Sequence, residues 1–172
     1  LLLPLTLASW AAAQAYTITD LGSLGETGGT NAFAINGAAE ITGSSYTSGE
    51  DNQAFLYENG TMQDLGTLGG TDSYGTGINA MGQIAGYAHL SGDEAYHAFL
   101  YSNGTMKDLG TLGGTQSSAY AINDSGQVVG ASGTLANFLM RAFLYANGAM
   151  TDLGTLGGKN SQAFGINNAG QV

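Results

Sequence analysis

Carboxylates recur at one position of this sequence, and they are the first residues that could do chemistry. Four phrases of the form Asp-Leu-Gly-(Ser/Thr)-Leu-Gly start 44 residues apart, at Asp20, Asp64, Asp108 and Asp152. One carboxylate per unit could contact calcium or a sugar hydroxyl. Aspartate at a turn also accepts hydrogen bonds from the backbone N–H groups that follow it. Because glycine follows each of the four, we favour the structural role.

Paired acidic residues are the second candidate site. Glu50-Asp51 and Asp93-Glu94 each precede an Ala-Phe-Leu-Tyr phrase, and carboxylate oxygens are ligands that Ca²⁺ prefers. The comparable stretch of the third unit, 135–137, reads Leu-Ala-Asn and has no carboxylate. Neither EF-hand spacing nor a glycine-rich calcium nonapeptide occurs. Solvated loops are therefore the preferred interpretation; calcium is the alternative, and no other cofactor is expected.

Catalytic motifs are missing from the sequence. The two histidines are His89 and His97, and the triplet His97-Ala-Phe becomes Gln53-Ala-Phe and Arg141-Ala-Phe in the neighbouring units. A metal would need further ligands to converge on these rings. The sequence contains no Gly-x-Ser-x-Gly, His-Glu-x-x-His or phosphate-binding loop. No residue is therefore assigned a catalytic or cofactor-binding role.

Charge and the N-terminal segment indicate where the protein acts. Thirteen acidic residues against three basic ones give a net charge of −10, which argues against nucleic-acid binding. Residues 1–15 are leucine- and alanine-rich and end in Ala13-Gln14-Ala15, which is typical of a secretory signal with a truncated start. The segment is shorter than the roughly 20 residues of a membrane-spanning helix, so no integral span is expected. We predict a secreted or cell-surface protein whose mature chain starts at Tyr16 and belongs to a longer protein.

Short strands joined by tight turns must position these residues. The pair Asn-Gly between apolar runs predicts two-residue hairpin turns at Asn59-Gly60, Asn103-Gly104 and Asn147-Gly148. Such turns would place Tyr57 opposite Met62 and Phe55 opposite Asp64. A second hairpin is predicted over 118–130, which gives four strands in the third unit at about 118–122, 127–132, 141–145 and 149–153. No segment after residue 15 has a helical apolar period.

Four short strands every 44 residues predict an all-β, β-propeller-like array of antiparallel blades. The single repeat domain would cover 16–172, with a lone outer strand at 16–24, units at about 30–68, 74–112 and 117–156, and a partial unit at 161–172. The lone strand could complete the last blade of a ring, of which about three blades and part of a fourth are present. A β-solenoid is the alternative architecture.

The phrases His97-Ala-Phe-Leu-Tyr, Asn103-Gly-Thr-Met-Lys-Asp-Leu-Gly-Thr-Leu-Gly-Gly and Ala121-Ile-Asn-Asp-Ser-Gly-Gln-Val-Val-Gly resemble the HAF-repeat family of probable extracellular bacterial proteins. The similarity covers nearly all of the mature chain. It implies an exported repeat protein without an established activity, and it transfers no functional residue.

These observations predict a non-enzymatic exported protein that presents a propeller surface for binding or for extracellular structure. The ligand, a glycan or a protein, would contact the loops whose sequences differ most between units, at about 45–53, 88–97 and 131–141. Two alternatives remain open. The first is an extracellular polysaccharide hydrolase or lyase that uses the propeller as a scaffold, and the second is a solenoid adhesin.

Overall fold

The structure is a computed structural model that describes residues 17–26, 28–135 and 139–172, and in these residues the protein is all β. The predicted signal segment, 1–15, and Tyr16 lie outside the described residues. Twelve strands follow one another without an intervening helix in the described chain. They are β1 (Thr30–Ile35), β2 (Ile41–Tyr46), β3 (Asn52–Glu58), β4 (Thr61–Asp64), β5 (Gly69–Ile78), β6 (Ile84–Leu90), β7 (Tyr96–Ser102), β8 (Thr105–Asp108), β9 (Gly113–Ile122), β10 (Val128–Thr134), β11 (Met140–Ala146) and β12 (Ala149–Asp152).

The strands form two sheets built from three antiparallel meanders, which we call the first, second and third units. The first unit, β1 to β4, is a four-stranded sheet of its own. The second unit, β5 to β8, and the third, β9 to β12, share an eight-stranded sheet. A single parallel pairing, Tyr96 with Gln116, joins β7 to β9 at the boundary between these units.

The Asn-Gly hairpins have the predicted register. Tyr57 lies opposite Met62, and Phe55 lies opposite Asp64, across β3 and β4. The same arrangement recurs for Tyr101 with Met106 and for Tyr145 with Met150. In all three turns the Asn and the Gly have positive φ, for example 50° at Asn59 and 81° at Gly60, as a type I′ turn requires.

The phrase Asp-Leu-Gly-Thr-Leu-Gly-Gly forms the crossing from the last strand of one unit to the first strand of the next. After β4, Asp64 Oδ1 accepts a hydrogen bond from Gly66 N at 2.8 Å, and Thr67 Oγ1 donates to Gly70 O at 2.8 Å. Ser73 on β5 then donates to Gly66 O and accepts from Ala54 N of the preceding unit. Side chains of the phrase therefore form hydrogen bonds with its own backbone groups, and Ser73 links the next strand to β3.

An asparagine ladder connects the turns between the first two strands of successive units. The side-chain amide of Asn79 donates to Asn123 O at 3.0 Å, and that of Asn123 donates to Asn167 O at 3.1 Å. Asn36 makes the equivalent bond to Asn79 O. Each Asn also accepts bonds from the N–H groups of its own turn, as Asn79 does from Met81 and Gln83. The phrase Ile-Asn-x-x-Gly-Gln thus closes its turn and holds the adjacent unit.

Phenylalanines from the third strand of each unit form the centre of the core. Phe55, Phe99 and Phe143 are fully buried. Phe99 packs in one cluster with Leu65 and Phe143 in another with Leu109, leucines of the unit crossings, together with small residues of neighbouring strands. This placement explains why the Ala-Phe-Leu-Tyr strand is apolar on both faces, since it is covered from both sides.

The predicted strand boundaries differ from the structure at two places. The first strand of a unit begins earlier than predicted, because the Gly-Gly pair of the crossing already belongs to β5 and β9. Residues 17–26 form no strand, although a lone outer strand was predicted at 16–24. Ile18 is 96% exposed there, since no third strand precedes it in the described chain to pair with.

Candidate functional site

A shallow aromatic groove lies where the second unit meets the third. Its volume is about 340 Å³, and it is lined by Tyr74, Tyr87, His89, Tyr96, Ser118 and Tyr120. Volumes of this order are at the lower end of those of small-molecule sites, about 300–1,000 Å³. The lining residues come from four strands, β5, β6, β7 and β9, so regular sheet backbone and not loop backbone positions the rings.

Cross-strand pairing brings the rings of the groove into contact. Tyr74 lies opposite Tyr87, and their rings are stacked with centroids 4.9 Å apart. Tyr87 and Tyr96 are tilted by 56° with centroids 5.7 Å apart. His89 lies opposite Tyr96 and stacks on it at 6.0 Å. Because aromatic pairs of this kind stabilise one another by about 0.5–1.5 kcal/mol, the four rings form one ordered surface.

The phenol groups of Tyr74, Tyr87 and Tyr120 stay protonated at neutral pH. Burial, with smaller contributions from neighbouring phenols and from Asp72, raises the pKa of Tyr87 above its ordinary value of 10.0. The pKa values of Tyr74 and Tyr120 are raised as well, again mainly by burial. In the chain that the structure describes, the hydroxyls of Tyr74, Tyr87, Tyr96 and Tyr120 have no hydrogen-bond partner in the protein. Four hydroxyls are therefore available to solvent or to a ligand.

Carboxylates border the groove. Asp93 Oδ1 lies 3.4 Å from His89 Nδ1 and accepts a bond from Thr71 N at 2.8 Å. This backbone bond is the main reason that the pKa of Asp93 is below its usual range. Asp72 is on β5 two residues before Tyr74 and accepts a hydrogen bond from Asn52 N. Neither lysine nor arginine is among the lining residues.

Three of the groove tyrosines, Tyr74, Tyr87 and Tyr96, are specific to the second unit. The position opposite the Ala of Ala-Phe-Leu-Tyr holds Tyr87 in the second unit, but Ser44 in the first and Ala131 in the third. The position that starts the third strand holds Tyr96, whereas the other units have Asn52 and Met140. The same sheet therefore forms without these rings.

The four repeated aspartates make the same local bond. Asp20, Asp64, Asp108 and Asp152 each accept a hydrogen bond from the N–H of the Gly two residues later, at 2.7–2.9 Å. Asp108 also contacts His97, whose Nδ1 lies 2.9 Å from both carboxylate oxygens. Asp64, Asp108 and Asp152 end β4, β8 and β12, and Asp20 lies outside the strands; none of the four lines the aromatic groove.

The paired carboxylates lie in turns between the second and third strands of their units. Glu50 and Asp93 occupy positive-φ positions of these turns, with φ of 69° and 58°. Asp51 and Glu94 are their chain neighbours, and Asp93 is engaged by Thr71 and His89. In residues 17–26, 28–135 and 139–172, no three or more His, Cys, Asp or Glu side chains converge in a way that could hold a metal ion.

Sequence reasoning anticipated part of the groove. The predicted ligand loop at 88–97 contains His89 and Tyr96, but Tyr74, Tyr87 and Tyr120 were not singled out. A position-by-position comparison of the units would have found Tyr87, since a large ring replaces Ser and Ala there. Tyr120 belongs to the third unit and reaches the same groove because the two units pack against each other. A single sequence does not show this packing.

Comparison of the chain with protein-family models, with curated proteins and with solved structures finds no match in any of the three. Among the residues that the structure describes, no helix has the length and apolar character needed to cross a bilayer.

Proposed function

We propose that this protein is a non-enzymatic binding protein whose ligand occupies the aromatic groove of the second unit. The observation that carries the proposal is the presence of Tyr87 and Tyr96 at positions where the other units fold with non-aromatic residues. Half-buried rings with free hydroxyls are poor choices for a mere structural surface, because they expose apolar area without using their polar ends. A bound ligand would cover the apolar faces of the rings and would hydrogen-bond to their hydroxyls.

The architecture proposed for the whole array is a β-propeller. Three antiparallel four-stranded meanders follow one another, and the first strand of each unit packs across the sheet of the preceding one. The asparagine ladder joins the units on the side of their first strands. Repeated blades that meet through their inner strands fit this architecture, and a β-solenoid is the competing one.

We further propose that the protein is exported and belongs with the HAF-repeat proteins. The signal-like segment 1–15 supports the export, and the repeated phrases support the family assignment. Detection of the intact protein in culture medium or at the cell surface, with the mature chain starting at Tyr16, tests the export. Retention in the cytoplasm with residues 1–15 still attached would contradict it.

The binding proposal is tested by NMR with tyrosine-labelled protein and a panel of neutral saccharides, organic cations and short peptides. A ligand should shift the resonances of Tyr74, Tyr87, Tyr96 and Tyr120 together. Tyr87→Ala and Tyr96→Met introduce the residues of the third unit and should abolish the shifts, while Tyr57→Phe, on β3, should not. Absence of shifts across the panel, or shifts that survive both substitutions, would contradict the proposal.

The alternative function is polysaccharide cleavage on the same scaffold. An enzyme would release new reducing ends from a bound polysaccharide, whereas a binding protein leaves the chain length unchanged. We expect no reducing-end release from glycans that bind. Sustained release of reducing ends that disappears in a carboxylate variant such as Asp93→Asn would show that the protein is an enzyme, in place of the proposed binding protein.

A further inference from the structure

The electrostatics of the aromatic groove point to one class of ligand. The groove has neither lysine nor arginine in its lining, its one histidine, His89, faces the carboxylate of Asp93, and the carboxylate of Asp72 lies beside its rings. The faces of aromatic rings are themselves negative, because of their quadrupole. Rings and carboxylates therefore contribute potentials of the same sign, which attract a cation and repel an anion.

The spacing of the rings also suits a cation. A cation is attracted when it lies within about 6 Å of a ring centroid. The cation must also lie over the face of the ring. The rings of Tyr87 and Tyr96 are tilted by 56° with centroids 5.7 Å apart, which allows one bound charge to face both, while Tyr74 stacks on Tyr87 and supports it.

The size and polarity of the groove favour a methylated ammonium over a bare one. The faces of the rings offer no hydrogen-bond acceptor to an NH₃⁺ group, which loses strong hydration when it moves onto them. A methylated ammonium is weakly hydrated and presents carbon to the rings. The groove of about 340 Å³ accommodates a head group, and the free phenol hydroxyls can hydrogen-bond to the polar part of the same ligand.

We propose that the groove of the second unit binds an organic cation with a quaternary or methylated ammonium head group. This inference rests on the proposed binding function and names the ligand chemistry. It assigns Tyr74, Tyr87 and Tyr96 as the aromatic surface and Asp72 as the charge that complements the ligand. The groove should reject anionic ligands, including uronic acids and nucleotides.

The test compares choline with its uncharged isostere, 3,3-dimethylbutan-1-ol, by calorimetric or NMR titration of the full chain. We expect choline to bind at least about fivefold more tightly than the isostere, since the two differ only in charge. Asp72→Asn keeps an oxygen for Asn52 N and should weaken choline about threefold, while binding of the isostere stays unchanged.

Two results would overturn the inference in different ways. If the isostere or methyl glucoside binds at the groove as tightly as choline does, the ligand is neutral, and the proposed binding function stands without the cation. If neither choline, the isostere nor any member of the wider panel shifts the groove tyrosines, the binding function falls together with the inference. The unit-exchange variant Tyr87→Ala must abolish choline binding for the groove to be its site.

Discussion

At the scale of single residues, asparagine side chains link successive units by hydrogen bonds. Asn79 is 3% exposed, and its amide makes four hydrogen bonds, to Met81 N, Gln83 N, Gln83 Oε1 and Asn123 O. A buried amide with all its groups satisfied holds its neighbours in one geometry. The repeated Ile-Asn phrase is therefore explained by structure, without any ligand.

Removing one amide of the ladder should destabilise the protein. Asn79→Ala leaves backbone groups of two units without partners, and we expect the free energy of unfolding to fall by about 2–4 kcal/mol. Urea denaturation measures this change. Asn167→Ala is the matched control, since Asn167 is exposed and water can replace its bonds. Equal decreases in the free energy of unfolding for the two variants would contradict a special role for the buried ladder.

The groove tyrosines predict a stability change at alkaline pH. The folded-state pKa values of Tyr74, Tyr87 and Tyr120 are raised above 10.0, so the unfolded chain loses these protons first as the pH rises. The free energy of unfolding should be level below about pH 10 and should fall as the pH rises through the raised values. Tyr87→Phe should reduce this slope. Stability that increases above pH 10 would contradict the assignment.

At the scale of elements, local sequence determines most of the fold. The Asn-Gly turns, the strand pairing of Tyr57 with Met62 and the absence of helix in the described residues could all be predicted, because each depends on residues close in the chain. The start of β5 at Gly69 could not, since Gly-Gly also suits a loop and becomes strand only by pairing with Leu90 of β6, which is distant in the chain. The groove was partly missed for the same reason, because Tyr120 reaches it from the next unit.

Close backbone approach at one glycine of each unit gives an element-scale prediction. A Cβ at Gly86 would collide with Tyr74 O of the adjacent strand and lie 2.8 Å from Cζ of the fully buried Phe99. Neither group can move without disturbing the sheet, so Gly86→Ala should lower stability by about 1–3 kcal/mol. Thermal unfolding with Gly37→Ala as the control, where a Cβ meets open space, checks this expectation. Similar midpoints for the two variants would contradict it.

At the scale of the whole molecule, the units share a scaffold and differ in the side chains placed on it. Hydrogen bonds of the crossings and of the asparagine ladder recur about every 44 residues. Tyr74, Tyr87 and Tyr96 of the second unit do not recur, and they gather at one boundary between units. Function is therefore expected at that boundary, and stability is expected to come from the recurring bonds.

One variant tests this separation of scaffold and site most directly. It carries the third unit's residues in the second, with Tyr74→Ser, Tyr87→Ala, His89→Gly and Tyr96→Met together. Our account predicts a β-type circular dichroism spectrum and cooperative unfolding like those of the unchanged protein, with loss of ligand-induced shifts at Tyr120. A variant that fails to fold would show that the rings are part of the scaffold, and a folded variant that still binds at Tyr120 would place the ligand elsewhere.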